Sequence, residues 1–181
     1  MSRNRFCAFI AGPLLIALIA ASHPVAHAQT FSILYNFGTN SGDPAAPQSP
    51  GIVAQGRDGN LYSTAEYGAE GCGAIFEITP AGTLTDLHDF DRTDGCDSYS
   101  GLTLGTDGNF YGTASAGGAF ANGDIFQVAP GGGFTAIHMF GKRGPGAGPR
   151  TAPVQGLDGN FYGTTFGTSM ISKSQEETEV S

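Results

Sequence analysis

Two histidines at matching positions are the residues of this chain whose side chains could act as a general acid or base. His88 and His138 lie 50 residues apart, each two positions before a Phe. Imidazole titrates near neutral pH, so it is the side chain most often used for proton transfer. An active site needs one such group, whereas this position recurs, and an earlier copy holds Tyr35. The pattern therefore favours a structural role for both histidines.

A run of acidic residues is the second feature that could do chemistry. Asp91, Asp94 and Asp97 follow one another at intervals of three. Calcium-binding loops of the EF-hand type place their ligands at every second position instead. Calcium is thus one interpretation and a solvated loop the other, and the spacing favours the loop.

Three further charged residues are not repeated: Glu66, Glu70 and Arg92. A hydrolase or lyase built on a repeating scaffold would need such unrepeated polar groups to converge. Nothing in the sequence orders them, and the chain has neither a phosphate-binding loop nor a nucleophile elbow. We predict no catalytic residues, no cofactor-binding residues, no metal ligands and no cofactor.

Two cysteines remain once Cys7, in the N-terminal apolar run, is set aside. Cys72 and Cys96 form an even count, which in an exported protein indicates a disulfide. They flank two predicted strands that are antiparallel neighbours, so both would lie on the same side of a sheet. Two free buried thiols are the alternative, and a metal site is not expected.

A tandem repeat of about fifty residues organises the whole chain. A block reading Asp-Gly-Asn-apolar-Tyr occurs three times, at spacings of 49 and 51. Gly after Asp supplies the positive φ that a tight hairpin needs, so we interpret these residues as structural. The repeated residues are Asp58, Gly59 and Tyr62, then Asp107, Gly108 and Tyr111, then Asp158, Gly159 and Tyr162.

Each repeat contains four short runs of β-forming residues between turn signals, and none has a sustained helical period. The predicted strands are 51–55, 60–65, 74–79 and 83–90, then 101–105, 109–115, 124–129 and 134–140. Four antiparallel strands in fifty residues match one blade of a β-propeller. We predict an all-β fold with blades at 51–90 and 101–140 and partial units at 31–37 and 152–168, forming an incomplete ring. A β-solenoid and a small sandwich are the alternatives.

The repeat resembles the GloVer-type, or choice-of-anchor, tandem-repeat proteins of bacteria. The matching blocks are Phe110-Tyr111-Gly112-Thr113, Phe161-Tyr162-Gly163-Thr164-Thr165 and Gly73-Ala74-Ile75-Phe76-Glu77-Ile78. Leu61-Tyr62-Ser63-Thr64 departs from the pattern by Ser in place of Gly. The resemblance covers 31–168. It implies an exported, propeller-like, surface-associated protein and no agreed reaction.

The N-terminal segment 1–28 has the features of a secretory signal peptide. Arg3 and Arg5 precede an apolar run, and Ala26-His27-Ala28 supplies a cleavage site. We therefore expect a secreted, periplasmic or cell-surface protein of residues 29–181, with no transmembrane segment in the mature chain. Its six basic and sixteen acidic residues give a net charge of −10, which disfavours nucleic acid as a partner.

The repeat domain is predicted to cover 29–168. Residues 169–181 are polar, show no strand alternation, and are predicted to be a disordered tail. An open propeller exposes a sheet edge and a blade face, so self-association is one expectation.

Three functions remain open at this point. The first is a non-catalytic interaction module with a polysaccharide or protein partner. The second is a lyase or hydrolase on a propeller scaffold. The third is a truncated fragment of a longer repeat protein.

Overall fold

The computed structural model describes residues 31–47, 53–141 and 146–166, and the backbone of 171–174. The described residues from 33 onwards belong to one compact unit. The predicted signal peptide at 1–28 lies outside the described residues. Within them, no helix is long and apolar enough to cross a membrane.

Within the described residues, eleven strands form three antiparallel sheets that follow one another along the chain. The first sheet contains β1 (Ala54–Gln55), β2 (Leu61–Ala65), β3 (Ala74–Ile78) and β4 (Leu84–Asp89). The second contains β5 (Thr103–Leu104), β6 (Phe110–Ala114), β7 (Asp124–Val128) and β8 (Phe134–Met139). The third contains β9 (Val154–Gln155), β10 (Phe161–Thr164) and β11 (Ile171–Ser174).

The first two sheets repeat the same backbone plan. Each has its four strands in chain order, and each has a register shift between its third and fourth strands. These irregularities fall between Ile75 and Phe76 in one sheet and between Ile125 and Phe126 in the other. The all-β prediction of antiparallel four-stranded units is confirmed.

Strand β11 corrects part of the prediction for the C-terminal residues. It lies inside 169–181, where a polar tail without strand structure was expected, and it pairs with β10 from Phe161 to Thr164. Backbone hydrogen bonds to a neighbouring strand need no apolar alternation, and charged side chains are common on outer strands. Composition alone therefore misjudged these four residues. The remainder of the predicted tail lies outside the described residues.

The main core lies between the first and second sheets. It joins Tyr62, Ile75 and Phe90 of the first to Phe110 and Phe126 of the second, all nearly or fully buried. Burying such side chains contributes roughly 1.5–3 kcal/mol each, so the contact between the first two sheets stabilises the fold.

A smaller cluster covers the opposite face of the first sheet. Phe37 packs on Phe76 with ring centroids 5.0 Å apart. Phe90 packs on Phe126 in the same way at 5.3 Å, one repeat later. The segment predicted as a partial unit at 31–37 thus contacts the first sheet much as β4 contacts the second.

Candidate functional site

The repeated Asp-Gly-Asn-apolar-Tyr block builds a turn and anchors a tyrosine. The Asp58 carboxylate accepts one hydrogen bond from the Asn60 amide at 3.0 Å and another from the Tyr62 hydroxyl at 2.6 Å. Gly59 has a φ of +87°, which the turn requires. The Tyr62 hydrogen bond lowers the pKa of Asp58, while burial and that same bond raise the pKa of Tyr62.

The same arrangement recurs in the later copies. Tyr111 donates to Asp107 at 2.8 Å, and Tyr162 donates to Asp158 at 2.7 Å. Gly108 and Gly159 both have positive φ. Three equal geometries at the three repeated sites support a structural role for these residues.

Each buried tyrosine also connects two sheets. Tyr62 stacks on Phe110 of the second sheet at 4.1 Å, and Tyr111 stacks on Phe161 of the third at 3.9 Å. Adjacent residues of a strand point to opposite faces. The apolar-Tyr pair in the repeat therefore presents its tyrosine to the following unit and its apolar residue to the preceding one.

A disulfide joins the two loops at one end of the first sheet. Cys72 and Cys96 are bonded, with Cα atoms 4.5 Å apart and a sequence separation of 24. Next to the bridge, the Asp97 amide donates to the Cys72 carbonyl at 2.9 Å. The cross-link fixes the backbone from which Asp97 projects.

Three isolated β-bridges repeat at this end of the sheets. They pair Ala45 with Tyr67, Cys96 with Ala116, and Pro149 with Thr165. The residues beside them continue the pattern, because Glu66 donates its amide to the Ala46 carbonyl and Ser115 donates its amide to the Asp97 carbonyl. The backbone frame is thus the same in successive units.

The side chains on this frame differ from unit to unit. The position after the first bridge residue holds Ala46, then Asp97, then Arg150. The position before the second bridge residue holds Glu66, then Ser115, then Thr164. Ala46 and Asp97 both have positive φ, an uncommon conformation for residues with a side chain.

Five of the nearby side chains form a group that we call the loop cluster: Glu66, Tyr67, Asp97, Tyr99 and Arg150. Burial, followed by the negative charges of Asp97 and Glu66, raises the pKa of Tyr99, and the Arg150 charge opposes this effect. A hydrogen bond to Glu66 raises the pKa of the exposed Tyr67. The cluster combines two phenol rings with carboxylate acceptors and a guanidinium donor.

An exposed aromatic ring extends the loop cluster. The Arg150 guanidinium lies over the Phe166 ring, 5.1 Å from its centroid. Such a cation–π contact at an exposed site contributes about 0.5–1 kcal/mol and holds the guanidinium in place. The cluster therefore offers apolar surface as well as hydrogen-bonding groups.

The charged residues that the sequence suggested as site candidates do not converge on a single site. Glu66 joins the loop cluster, whereas Glu70 and Arg92 are exposed residues outside it. Asp91 accepts hydrogen bonds from Thr93, and Asp97 belongs to the loop cluster. Among the described residues, no group of three or more His, Cys, Asp or Glu side chains could hold a metal ion.

His88 is held between aromatic rings. It stacks on Phe134 of the second sheet at 3.9 Å and meets Phe90 edge-on at 5.1 Å. Its Nε2 atom lies 2.9 Å from a carboxylate oxygen of Asp94, without the alignment of a hydrogen bond. His138 lies edge-on to Phe140 and is exposed. These contacts are compatible with the packing role that the repeat suggests.

Asp124 is a further residue that sequence reasoning missed, in addition to Tyr67, Tyr99 and Arg150 of the loop cluster. Its side chain is fully buried, and neither carboxylate oxygen has a hydrogen-bond partner. Burial, followed by the negative charge of Asp94, raises the pKa of Asp124 to about 8. A methyl group added at Gly95 would lie 3.0 Å from one of its oxygens, so the loop after β4 covers the carboxyl group.

At this pair of positions, the first sheet has its acidic residue on the fourth strand, whereas the second sheet has it on the third. Ala74 of β3 pairs with Asp89 of β4, whereas Asp124 of β7 pairs with Met139 of β8. Asp89 accepts a hydrogen bond from the Ala69 amide at 2.7 Å. Aligning the repeats and looking for paired departures, rather than for recurrence, would have revealed this exchange.

Comparison with known protein families identifies a repeat family. The sequence model of the Gloeobacter/Verrucomicrobia repeat matches residues 23–174. Comparison with curated proteins finds no match.

The chain shares its fold with a solved structure. It is similar to virginiamycin B lyase from Staphylococcus aureus, with a TM-score of 0.50 and 19% identity over 80% of this chain and 45% of that one. It is also similar to a streptogramin B lyase, with a TM-score of 0.43 and 19% identity over 80% of this chain and 44% of that one. The chain therefore spans less than half the length of either lyase.

Proposed function

Since the chain belongs to the Gloeobacter/Verrucomicrobia repeat family, we propose that it is an exported, non-catalytic β-propeller-like interaction module that binds its partner through the loop cluster. This proposal gives the repeats a structural task and the variable loop positions a recognition task. Binding residues are often found on loops that a rigid scaffold positions.

The observation that carries the proposal is the contrast between constant backbone and variable side chains. The same backbone β-bridge recurs in three units, while the residue next to it changes from Ala46 to Asp97 to Arg150. A purely structural position would favour one residue type. Variation on a fixed frame is the arrangement that suits recognition of a particular ligand.

The chemistry of the loop cluster favours a neutral polysaccharide. Tyr67 and Tyr99 offer ring surface for the apolar faces of sugars, and Glu66 and Asp97 offer acceptors for hydroxyl groups. The chain has a net charge of −8, which disfavours anionic polymers. A protein partner is the alternative, and the absence of binding to every polysaccharide tested would favour it.

Export is supported by two features. The Cys72–Cys96 disulfide is of a kind that persists in oxidising compartments. The N-terminal residues have the sequence features of a signal peptide. We propose a periplasmic, cell-surface or extracellular location.

A polysaccharide pull-down tests the proposed function. The purified chain is mixed with insoluble neutral and acidic polysaccharides, and the bound fraction is measured. We expect binding to a neutral polymer, with at least a tenfold loss of affinity in Tyr99→Ala and Glu66→Gln. Glu70→Gln is the matched control, because it removes an exposed acid of the same loop outside the cluster.

Two results would contradict this function. Equal loss of binding in Glu66→Gln and Glu70→Gln would show that overall charge, rather than the loop cluster, drives the interaction. Turnover of a bound polymer into shorter products would show that the module is catalytic.

A further inference from the structure

Exposed large apolar side chains gather at the two ends of the array of sheets. Val154 is 66% exposed, Leu157 is fully exposed, and Phe166 is 81% exposed, all in the third unit. At the other end, Ile33, Leu34 and Val53 are exposed. Large exposed apolar patches mark interaction surfaces in folded proteins.

The leading end carries a sequence that resembles the fourth strand of a unit. Leu34-Tyr35-Asn36-Phe37 corresponds to Leu87-His88-Asp89-Phe90, which contains the end of β4. Phe37 packs on Phe76 of the following sheet, as Phe90 packs on Phe126. Yet the backbone of 31–36 forms no ladder with any described strand. This segment therefore has the position of an outer strand, and no described strand pairs with it.

The trailing end has the opposite deficiency. The third sheet has the order β11-β10-β9, so it corresponds to the first three strands of a complete unit. The outer edge of β11 has no partner strand among the described residues. Open edges of this kind can pair with a strand from another chain.

The faces at the two ends are also complementary. Tyr62 and Tyr111 are buried by the next unit, whereas Tyr162 is only half-buried, and no ring of the described residues stacks on it. Leu61 holds the position that Phe110 and Phe161 hold in the later units, and it is also half-buried. The trailing end thus presents Tyr162, and the leading end presents Leu61. These are the two kinds of residue that form the tyrosine–apolar contact between successive sheets.

We propose that two copies of this chain complete each other. Residues 33–37 of one copy pair with β11 of the second copy as its fourth strand, and Tyr162 of the second copy packs on Leu61 of the first. The same contact made twice closes the assembly. Each copy then supplies the fourth strand that the third sheet of the other copy lacks among the described residues.

The sharpest test is the mass of the full chain in solution, produced by export in a bacterial host and measured by light scattering during size exclusion. We expect a dimer at micromolar concentration. Val154→Glu should shift the mass to that of a monomer, because it places a charge on the face that meets the second copy. Ile137→Glu is the matched control, since Ile137 is an exposed apolar residue of β8 away from both ends.

Hydrogen exchange supplies a second readout that depends on strand addition rather than on mass alone. We expect the amides of 33–37 to be protected in the dimer and to exchange at least tenfold faster in Val154→Glu. Near-UV circular dichroism should show that the variant remains folded.

Several results would overturn the proposal. These are a wild-type monomer at 100 micromolar, an open series of larger assemblies, or a dimer that Val154→Glu weakens no more than Ile137→Glu does. Unprotected amides at 33–37 in a dimer would also contradict it, because association would then use another surface.

Discussion

The Tyr62 ring stacks on Phe110 at 4.1 Å, and this contact joins two sheets whose turns are built by the same sequence block. A single repeated pentapeptide thereby specifies both the hairpin within a unit and the packing between units. Substitutions in it should affect stability in a way that depends on the neighbouring unit.

Removing one tyrosine hydroxyl tests this arrangement. Tyr62→Phe keeps the stack on Phe110 and loses the hydrogen bond to Asp58, so we expect a loss of about 1–2 kcal/mol in the free energy of unfolding. Tyr62→Ala should cost about 3–5 kcal/mol, because it also leaves a cavity in the core. Urea unfolding followed by circular dichroism measures both.

Tyr162→Phe is the matched control for that experiment. In the Val154→Glu background, which is expected to be monomeric, Tyr162 is half-buried and donates to Asp158 at 2.7 Å, so Tyr162→Phe should lose less stability there than Tyr62→Phe. A larger loss in Tyr162→Phe would show that burial between sheets is not what gives the tyrosine its importance.

The disulfide should stabilise the chain and hold the loop cluster. Replacing Cys72 and Cys96 by Ser should lower the free energy of unfolding by roughly 3 kcal/mol, given a closed loop of about 25 residues. It should also weaken ligand binding, because the Asp97 amide bonds to the Cys72 carbonyl. Mass spectrometry of the alkylated protein, with and without reductant, checks the bond. Two alkylatable thiols in the unreduced protein would contradict its presence.

Asp124 should make stability depend on pH. Its folded-state pKa of about 8 lies above the value of 3.8 expected when unfolded, so the folded state retains a proton that the unfolded state releases. The contribution is therefore fully present below pH 3.8 and is lost as pH rises towards 8. Asp124→Asn should remove this dependence and stabilise the fold near pH 8 by a few kcal/mol.

Asp58→Asn provides the contrast of opposite sign. The Tyr62 hydrogen bond lowers the pKa of Asp58, so its contribution is present above the unfolded value and is lost as pH falls. Thermal unfolding of the three proteins between pH 3 and pH 9 separates the two effects. If the stability of Asp124→Asn changed with pH in the same way as that of the wild type, Asp124 would not retain its proton in the folded state.

The packing role of His88 can be separated from any proton-transfer role. His88→Phe preserves the ring stacked on Phe134, so we expect a stability within about 0.5 kcal/mol of wild type, whereas His88→Gln should cost about 1 kcal/mol. His138→Gln should have little effect, because His138 is exposed. If His88→Phe were as damaging as His88→Gln, the imidazole rather than its ring packing would matter.

The sequence predicted much of the fold because turn residues mark every hairpin. Asp58-Gly59 and its copies locate the first turn of each unit, and the positions of β2, β3 and β4 follow from it. Strand β11 was missed because its polar residues carry no alternating pattern, and its pairing with β10 depends on backbone groups that every residue has.

The candidate site was less accessible to sequence reasoning. Glu66, Asp97 and Arg150 lie far apart in the chain, and only the repeated bridges show that they stand on equivalent frames. Asp124 was missed for a different reason. A search for recurring residues finds only positions that are alike in successive units. Asp124 lies at a position where the two units differ, as does its partner Met139.

The exchange between Ala74–Asp89 and Asp124–Met139 limits how such units can recombine. A chimera that placed β7 beside β4 would bring two carboxylates face to face across neighbouring strands, and the reciprocal chimera would have none. Facing like charges destabilise a sheet. Duplication and shuffling in this chain would therefore conserve the whole sheet as the inherited module, even though its single strands look interchangeable.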